Sequence, residues 1–150
     1  MTFMIFIASD HAGFFLKNDL LEYLNKKGYD VRNLGPKKFN KNDDYPIYCS
    51  SLARAVKKNK LNFGIIIGGS GEGEAIAVNR FKGLRAAVYY GGPVSIVNVA
   101  RKHNNANVLS LGARFISKKE AFKAVINFLK TPFPDEARHK RRIRMLDRLK

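Results

Sequence analysis

Gly64-Ile65-Ile66-Ile67-Gly68-Gly69-Ser70-Gly71-Glu72-Gly73-Glu74-Ala75-Ile76-Ala77-Val78-Asn79 decides the fold. The unbroken apolar run Ile65 to Ile67 reads as a strand buried on both faces, and it passes through a glycine-rich turn into a helix starting near Gly73. Four glycines around Ser70 let the backbone bend sharply and bring bare N–H groups close to a bound group, while the helix N-terminus adds partial positive charge. Such a loop suits an oxyanion or a phosphate. It lacks the Lys-Ser/Thr ending of a P-loop, and Gly69-x-Gly71-x-Gly73 departs from the dinucleotide G-x-G-x-x-G spacing, which discounts ATP and NAD. Glu72 and Glu74 would repel a phosphate, yet either could act as a base beside an anion hole. That combination suggests proton chemistry.

Upstream, Phe3 to Ala8 reads as a first strand, stopped by Ser9-Asp10-His11. From about Ala12 the pattern becomes helical, with Leu16, Leu20, Leu21 and Leu24 on one face and Gly28 as the C-terminal stop. Tyr29, Val31 and Leu34 suggest a second strand, Gly35 to Asp44 a polar loop, and Tyr45-Pro46 the entry to a helix carrying Ile47, Leu52, Ala55 and Val56. Downstream, Leu84 to Tyr90 makes a fourth strand and Val94 to His103 a helix. Val108 to Leu111 is a fifth strand, followed by an amphipathic helix introduced by the capping pair Ser117 and Glu120. The stretch from about 136 to 150 is a basic helical tail with Ile143, Leu146 and Leu149 on one face. Five strands alternating with helices predict a single α/β domain over 1–150. Its sheet is open, parallel and doubly wound (Rossmann-like), with helices on both faces.

The chain's 150 residues suffice for one core, with 45% hydrophobic residues. Twenty-eight Lys and Arg against 12 Asp and Glu give a formal charge of +16, which favours anionic ligands and permits nucleic-acid or membrane-surface contact. The single cysteine, Cys49, excludes an intrachain disulfide and fits a reducing compartment. No metal-ligand cluster is visible. Met1 to Ala8 is too short for a membrane span and lacks signal-peptide features, so a cytoplasmic protein is expected.

Ligands of open parallel sheets bind beyond the strand C-terminal ends. Asp10-His11, the Ser70 loop and Arg114 each follow a strand and can converge there. His103 precedes strand five, at the opposite sheet end, and should not reach Glu74 within one subunit. It is either a helix-end residue, favourable when protonated, or a contributor to a partner subunit's site across a two-fold interface. Spacing alone favours the first.

Ser9-Asp10-His11-Ala12-Gly13, Asp44-Tyr45-Pro46, the loop from Gly64 to Asn79, Gly83-Leu84-Arg85-Ala86, His103 to Leu109, Leu111-Gly112-Ala113-Arg114 and Arg138-His139 together form a specific set. Over Ile5 to about Arg142 the chain resembles type B ribose-5-phosphate isomerases, relatives of the galactose-6-phosphate isomerase subunits. Many members carry a cysteine base at the position of Gly68. This chain is similar to the branch with glycine there and a glutamate base at the position of Glu74.

The resemblance implies metal- and cofactor-independent interconversion of ribose 5-phosphate and ribulose 5-phosphate through an enediolate. Glu74 is then the base, with Glu72 as the spare candidate. Ser70 and the N–H groups of Gly69, Gly71, Glu72 and Gly73 stabilise the oxyanion, where one lost donor can cost roughly 3 to 4 kcal/mol of barrier. His103 becomes the proton donor in ring opening, which reverses the preference from spacing. Asp10 lies near the reacting hydroxyls, Tyr45 lines the pocket and Asn104 holds substrate. His11, Arg114, Arg138 and Arg142 bind the phosphate, a task suited to guanidinium forks. The implied assembly is a homodimer, or a dimer of dimers, with shared sites.

Plainer roles exist. Asp10 can cap the first helix, Tyr45 can pack, and Arg138 and Arg142 can belong to a solvated basic face. Rival functions are a hexose-6-phosphate isomerase of the galactose or allose type, a sugar-phosphate-binding regulator without turnover, and a basic nucleic-acid-binding protein. The last is disfavoured by the lack of a binding module. The carboxylate at 74 is also pulled two ways, down by the helix N-terminus and up by desolvation on substrate closure.

Overall fold

The structure, a computed structural model, describes residues 2–150; Met1, the first residue of the opening run, lies outside them. Strands β1 (Ile5–Ser9), β2 (Val31–Asn33), β3 (Phe63–Gly68), β4 (Ala86–Tyr89) and β5 (Val108–Gly112) form one parallel sheet in the order β2-β1-β3-β5-β4. Between and after them run α1 (Phe14–Lys26), α2 (Tyr45–Val56), α3 (Glu72–Asn79), α4 (Ser95–Asn104), α5 (Lys118–Lys130) and α6 (Ala137–Leu146). The doubly wound reading is borne out.

The period-2 geometry of a strand sends alternate side chains to opposite faces. Ile5, Ile7, Ile65, Ile67, Leu109 and Leu111 join Leu20, Leu24, Val97, Ala121, Val125 and Phe128 in a core under α1, α4 and α5. Phe6, Ala8, Ile66 and Val108 point the other way, against Cys49, Leu52, Ala53 and Val56 of α2 and Val78 of α3. An apolar run without alternation is therefore what a central strand between two helical layers requires. Each fully buried Leu, Ile or Phe stabilises the fold by roughly 2 kcal/mol.

Boundaries shift where side chains compete for backbone groups. The first strand begins at Ile5 rather than Phe3, and the helix expected from Ala12 is preceded by a 3-10 turn, His11–Gly13. Asp10 Oδ1 accepts from the N–H groups of Ala12 (2.9 Å) and Gly13 (3.3 Å), tightening that turn before α1 starts at Phe14. The pair at the start of α5 is a full capping box: Ser117 N–H donates to Glu120 Oε2 (2.7 Å), and Glu120 N–H to Ser117 Oγ (3.2 Å). In the tail, Ile143 is half-buried while Leu146 and Leu149 are exposed. No helix among the described residues is long and apolar enough to cross a membrane.

Candidate active site

The sheet reverses its winding between β1 and β3: β2 lies on one side of β1, and β3, β5 and β4 lie on the other. Loops leaving β1 and β3 thus diverge and open a crevice at their C-terminal ends. Ser9 pairs with Ile67 at that edge, and Asp10 N–H donates to Ile67 carbonyl (3.3 Å), so Asp10-His11 begins beside the glycine loop.

Contacts from β5 shape the loop itself. Ala113 N–H donates to Gly68 carbonyl (2.8 Å) and Arg114 N–H to Gly69 carbonyl (3.1 Å). Buried Ser110, in the middle of β5, donates its hydroxyl to Gly71 carbonyl (2.6 Å). Gly71 has φ +81° at the N-cap of α3, a left-handed conformation that favours glycine. Ser70 Oγ accepts from Glu72 N–H (3.2 Å), whereas the amides of Gly71 and Gly73 find no acceptor among the described residues. Two donors thus stand free at a helix N-terminus. The Tyr45 ring lies against Gly73, with a Cβ there only 2.8 Å from Tyr45 Cζ, and the Arg114 guanidinium lies against Gly69, with a Cβ there 3.1 Å from Nη1.

Burial separates the two loop carboxylates. Glu72 is exposed, but Glu74 is only 4% exposed and its carboxylate fills the space beside the α-carbon of Gly68. Desolvation pushes the Glu74 carboxyl above the ordinary carboxylate range. A backbone hydrogen bond opposes this, and nearby Asp10 adds to it. Of the two opposing effects, desolvation wins even without substrate. A base of this kind is more basic than a surface glutamate.

Cys49, distant in sequence, is set by α2 against the same region. Burial first, then Glu74 and Asp10, push its thiol up to about 12. It is held as a neutral thiol rather than a nucleophile.

The loop from Leu34 to Asp44 brings in a residue the sequence reading passed over. Asp43 Oδ1 accepts from His11 N–H (3.0 Å) and lies 2.7 Å from His11 Nδ1. Asp43 had no signal beyond standing before the Asp44-Tyr45-Pro46 motif; Ser110 could have been suspected as a lone hydroxyl in an apolar strand. Donor atoms of Asp10, His11 and Asp43 lie within 4.8 Å of one another. Within that cluster Asp10 Oδ1 accepts from the amides of its own turn and His11 Nδ1 contacts Asp43 Oδ1.

The remaining expected site residues form a second group. His103 and Asn104 end α4 at the side where the chain enters β5, away from the glycine loop. The His103 ring stacks on His139 of α6, centroids 4.6 Å apart and planes 14° apart, which places His103 beside the helix bearing Arg138 and Arg142. His103, Asn104, Arg138 and Arg142 are exposed, while His139 is buried, its Nε2 without a hydrogen bond among the described residues and 3.6 Å from Glu136 Oε2. Burial lowers the His139 imidazole below its ordinary range, with Arg138 next in effect. Arg101 anchors the end of α4 by donating to Thr131 carbonyl (3.1 Å), Asn105 Oδ1 (2.8 Å) and Ala106 carbonyl (2.6 Å). One chain therefore carries Asp10, His11, Tyr45, the loop, Glu74 and Arg114 at one sheet edge, and His103, Asn104, Arg138 and Arg142 at the other.

A buried carboxylate in a glycine-rich loop beyond the strand ends of a parallel α/β sheet marks the chain as an enzyme of the α/β class. The chain belongs to the ribose/galactose isomerase family, whose pattern it matches over residues 5–146. It is 45% identical over 144 residues to the probable ribose-5-phosphate isomerase B of Mycoplasma genitalium, covering 95% of this chain and 93% of the relative. With ribose-5-phosphate isomerase B of Mycobacterium tuberculosis it shares 36% identity over 142 residues, 95% of this chain and 86% of the relative. The crystal structure of the Mycoplasma genitalium ribose-5-phosphate isomerase B with bound ribulose-5-phosphate superposes with a TM-score of 0.93 at 44% identity, over 99% of this chain and 96% of that one. The family resemblance read from the sequence is borne out.

Proposed function

We propose that this chain is a ribose-5-phosphate isomerase, interconverting ribose 5-phosphate and ribulose 5-phosphate, and that residues 1–150 act as one sugar-phosphate isomerase domain. The observation that carries the reading is Glu74: a carboxylate 4% exposed, raised in basicity by burial, beside the free amides of Gly71 and Gly73. Glu74 takes the proton from C2 of the open-chain aldose. The C2–H electron pair becomes the C1–C2 double bond of an enediolate, and the carbonyl oxygen takes up negative charge. The loop amides stabilise that charge, the proton of the C2 hydroxyl passes to the C1 oxygen, and protonation at C1 by the same carboxyl, as the C2–O bond closes to a carbonyl, gives the ketose.

The phosphate end falls to His11 and Arg114 of one subunit with Arg138 and Arg142 of another, and His103 of that second subunit delivers the proton for ring opening. The separation of the two residue groups within one chain supports a dimer with shared sites. A cytoplasmic, metabolic role completes the reading. The test is formation of ribulose 5-phosphate from ribose 5-phosphate with chelator present, comparing wild type with Glu74→Gln. Loss of turnover with retained fold and substrate binding is expected. An inactive wild type would redirect the assignment to hexose phosphates.

A further inference from the structure

We infer that Asp43 is a positioning residue for the phosphate end of the substrate, acting through His11. The inference rests on the proposed reading that His11 contacts the phosphate. Neither the motifs nor the relatives' names assign Asp43 a role.

The geometry is specific. A single oxygen, Asp43 Oδ1, faces both the His11 amide (3.0 Å) and His11 Nδ1 (2.7 Å). Two attachments to one residue fix its backbone and its ring together. The Asp43 side chain is 4% exposed and the His11 side chain 30%, so the carboxylate is enclosed and the ring reaches the open side. A carboxylate only accepts, so the hydrogen of this contact sits on Nδ1 and Nε2 is the ring's free nitrogen. A phosphate oxygen at Nε2 requires a donor there. The Asp43 carboxylate grips the ring through a charge-assisted contact that keeps Nε2 turned toward the side where that oxygen would lie, and a neutral amide in its place grips about half as strongly.

Asp43 is itself held by a built scaffold. Fully buried Lys17 donates from Nζ to Pro36 carbonyl (2.8 Å), Asn18 Oδ1 (3.0 Å) and Asn33 Oδ1 (3.2 Å), fixing the start of the loop that ends at Asp43. Ser9 N–H donates to Gly35 carbonyl (3.0 Å), tying the same loop to the end of β1. Asp43 Oδ2 is buried with no close hydrogen-bond donor among the described residues, and the Tyr48 hydroxyl lies near the same carboxylate. A neutral amide fits that arrangement: Asn at position 43 keeps the accepting oxygen for both His11 donors and puts its NH2 where Oδ2 stood. Asp43→Asn therefore removes the charge and keeps the scaffold.

The experiment is steady-state kinetics of wild type, Asp43→Asn and Asp43→Ala with ribose 5-phosphate, with inorganic phosphate as competitive inhibitor. Thermal unfolding and the 15N shifts of the His11 ring are recorded in parallel. In Asp43→Asn we expect KM to rise about tenfold, with kcat within twofold and the inhibition constant for phosphate rising by a similar factor. Unfolding should match wild type, and the His11 ring shifts should respond less to added phosphate than they do in wild type. Asp43→Ala should add a loss of thermal stability. A folded Asp43→Asn with wild-type KM and phosphate inhibition, in an active background, would overturn the role of Asp43. An inactive wild type would instead strike the isomerase reading, and the phosphate titration of the His11 shifts still decides the Asp43–His11 coupling.

Discussion

Gly68 and Glu74 share one volume: a Cβ on Gly68 would overlap the Glu74 carboxylate. This gives a physical reason for the branch of the family that the chain resembles. A side chain at 68 or the carboxylate of Glu74 can occupy the space, but not both. Gly68→Ala should therefore displace Glu74, the proposed base, and cost about 1 to 3 kcal/mol of stability through overpacking. We expect kcat to fall roughly a hundredfold, because a shift of the order of 1 Å at a reacting group costs that much. Kinetics with a parallel denaturant titration checks it. Wild-type kcat in the variant would show that Glu74 is not held against Gly68 during turnover.

The same burial gives Glu74 a pH signature. Its folded carboxyl is raised by desolvation first, so the native state keeps the proton over a range where the unfolded chain has lost it. Stability then declines as pH rises from the ordinary value of 4.5 through the raised folded value, and levels off above it. Glu74→Gln lacks this decline. It should match wild type near pH 4 and be the more stable protein at pH 7, while losing turnover. The acidic limb of wild-type kcat/KM should sit above the range of an exposed glutamate. Identical pH–stability curves for the two proteins would contradict the buried, ionising base.

Arg101 is a structural counterpart on the other half of the site. Its guanidinium, lowered to about 10 by burial first and by Arg85 second, lies over the rings of Phe63 (4.9 Å) and Phe128 (5.6 Å) while bonding the turn after His103. Removing it leaves the carbonyls of Ala106 and Thr131 without their donor. Arg101→Ala should cost about 3 kcal/mol, read by urea unfolding. Arg101→Lys should recover little of this, because an ammonium cannot reproduce the fork.

The sheet and its crevice were legible because the signals are local: the apolar run at Ile65, the glycines around Ser70 and the Ser117–Glu120 pair each name their own structure. Glu74 was legible as a candidate, yet its preference over Glu72 is a matter of burial that no spacing reveals. Asp43, Ser110 and Lys17 were not legible. Each acts across a long sequence separation, on His11, Gly71 and Pro36, and a charged or polar residue in a loop or strand carries no mark of its eventual partner. Lys17 even contradicts the usual exposure of lysine, and only the carbonyl and amide oxygens around it explain its burial.

The two groups of site residues yield the sharpest test of assembly. Within one chain His103 ends α4 beside His139, whereas Glu74 begins α3 at the other sheet edge. If a working site joins Glu74 of one subunit to His103 of its partner, two inactive variants can complement each other. In a mixed dimer of Glu74→Gln and His103→Asn subunits, one site carries both substitutions and the other carries neither. Random reassortment of equal amounts makes about half of the dimers mixed, each with one intact site of two, so activity should return to about a quarter of wild type in the unsorted mixture and to about half in the purified mixed dimer. The check is to co-refold or co-express the differently tagged variants, purify the mixed species and measure ribulose 5-phosphate formation. Activity that stays at the level of the parent variants in a verified mixed dimer would mean that each chain completes its own site. His103 would then be the helix-end residue that its spacing alone suggested.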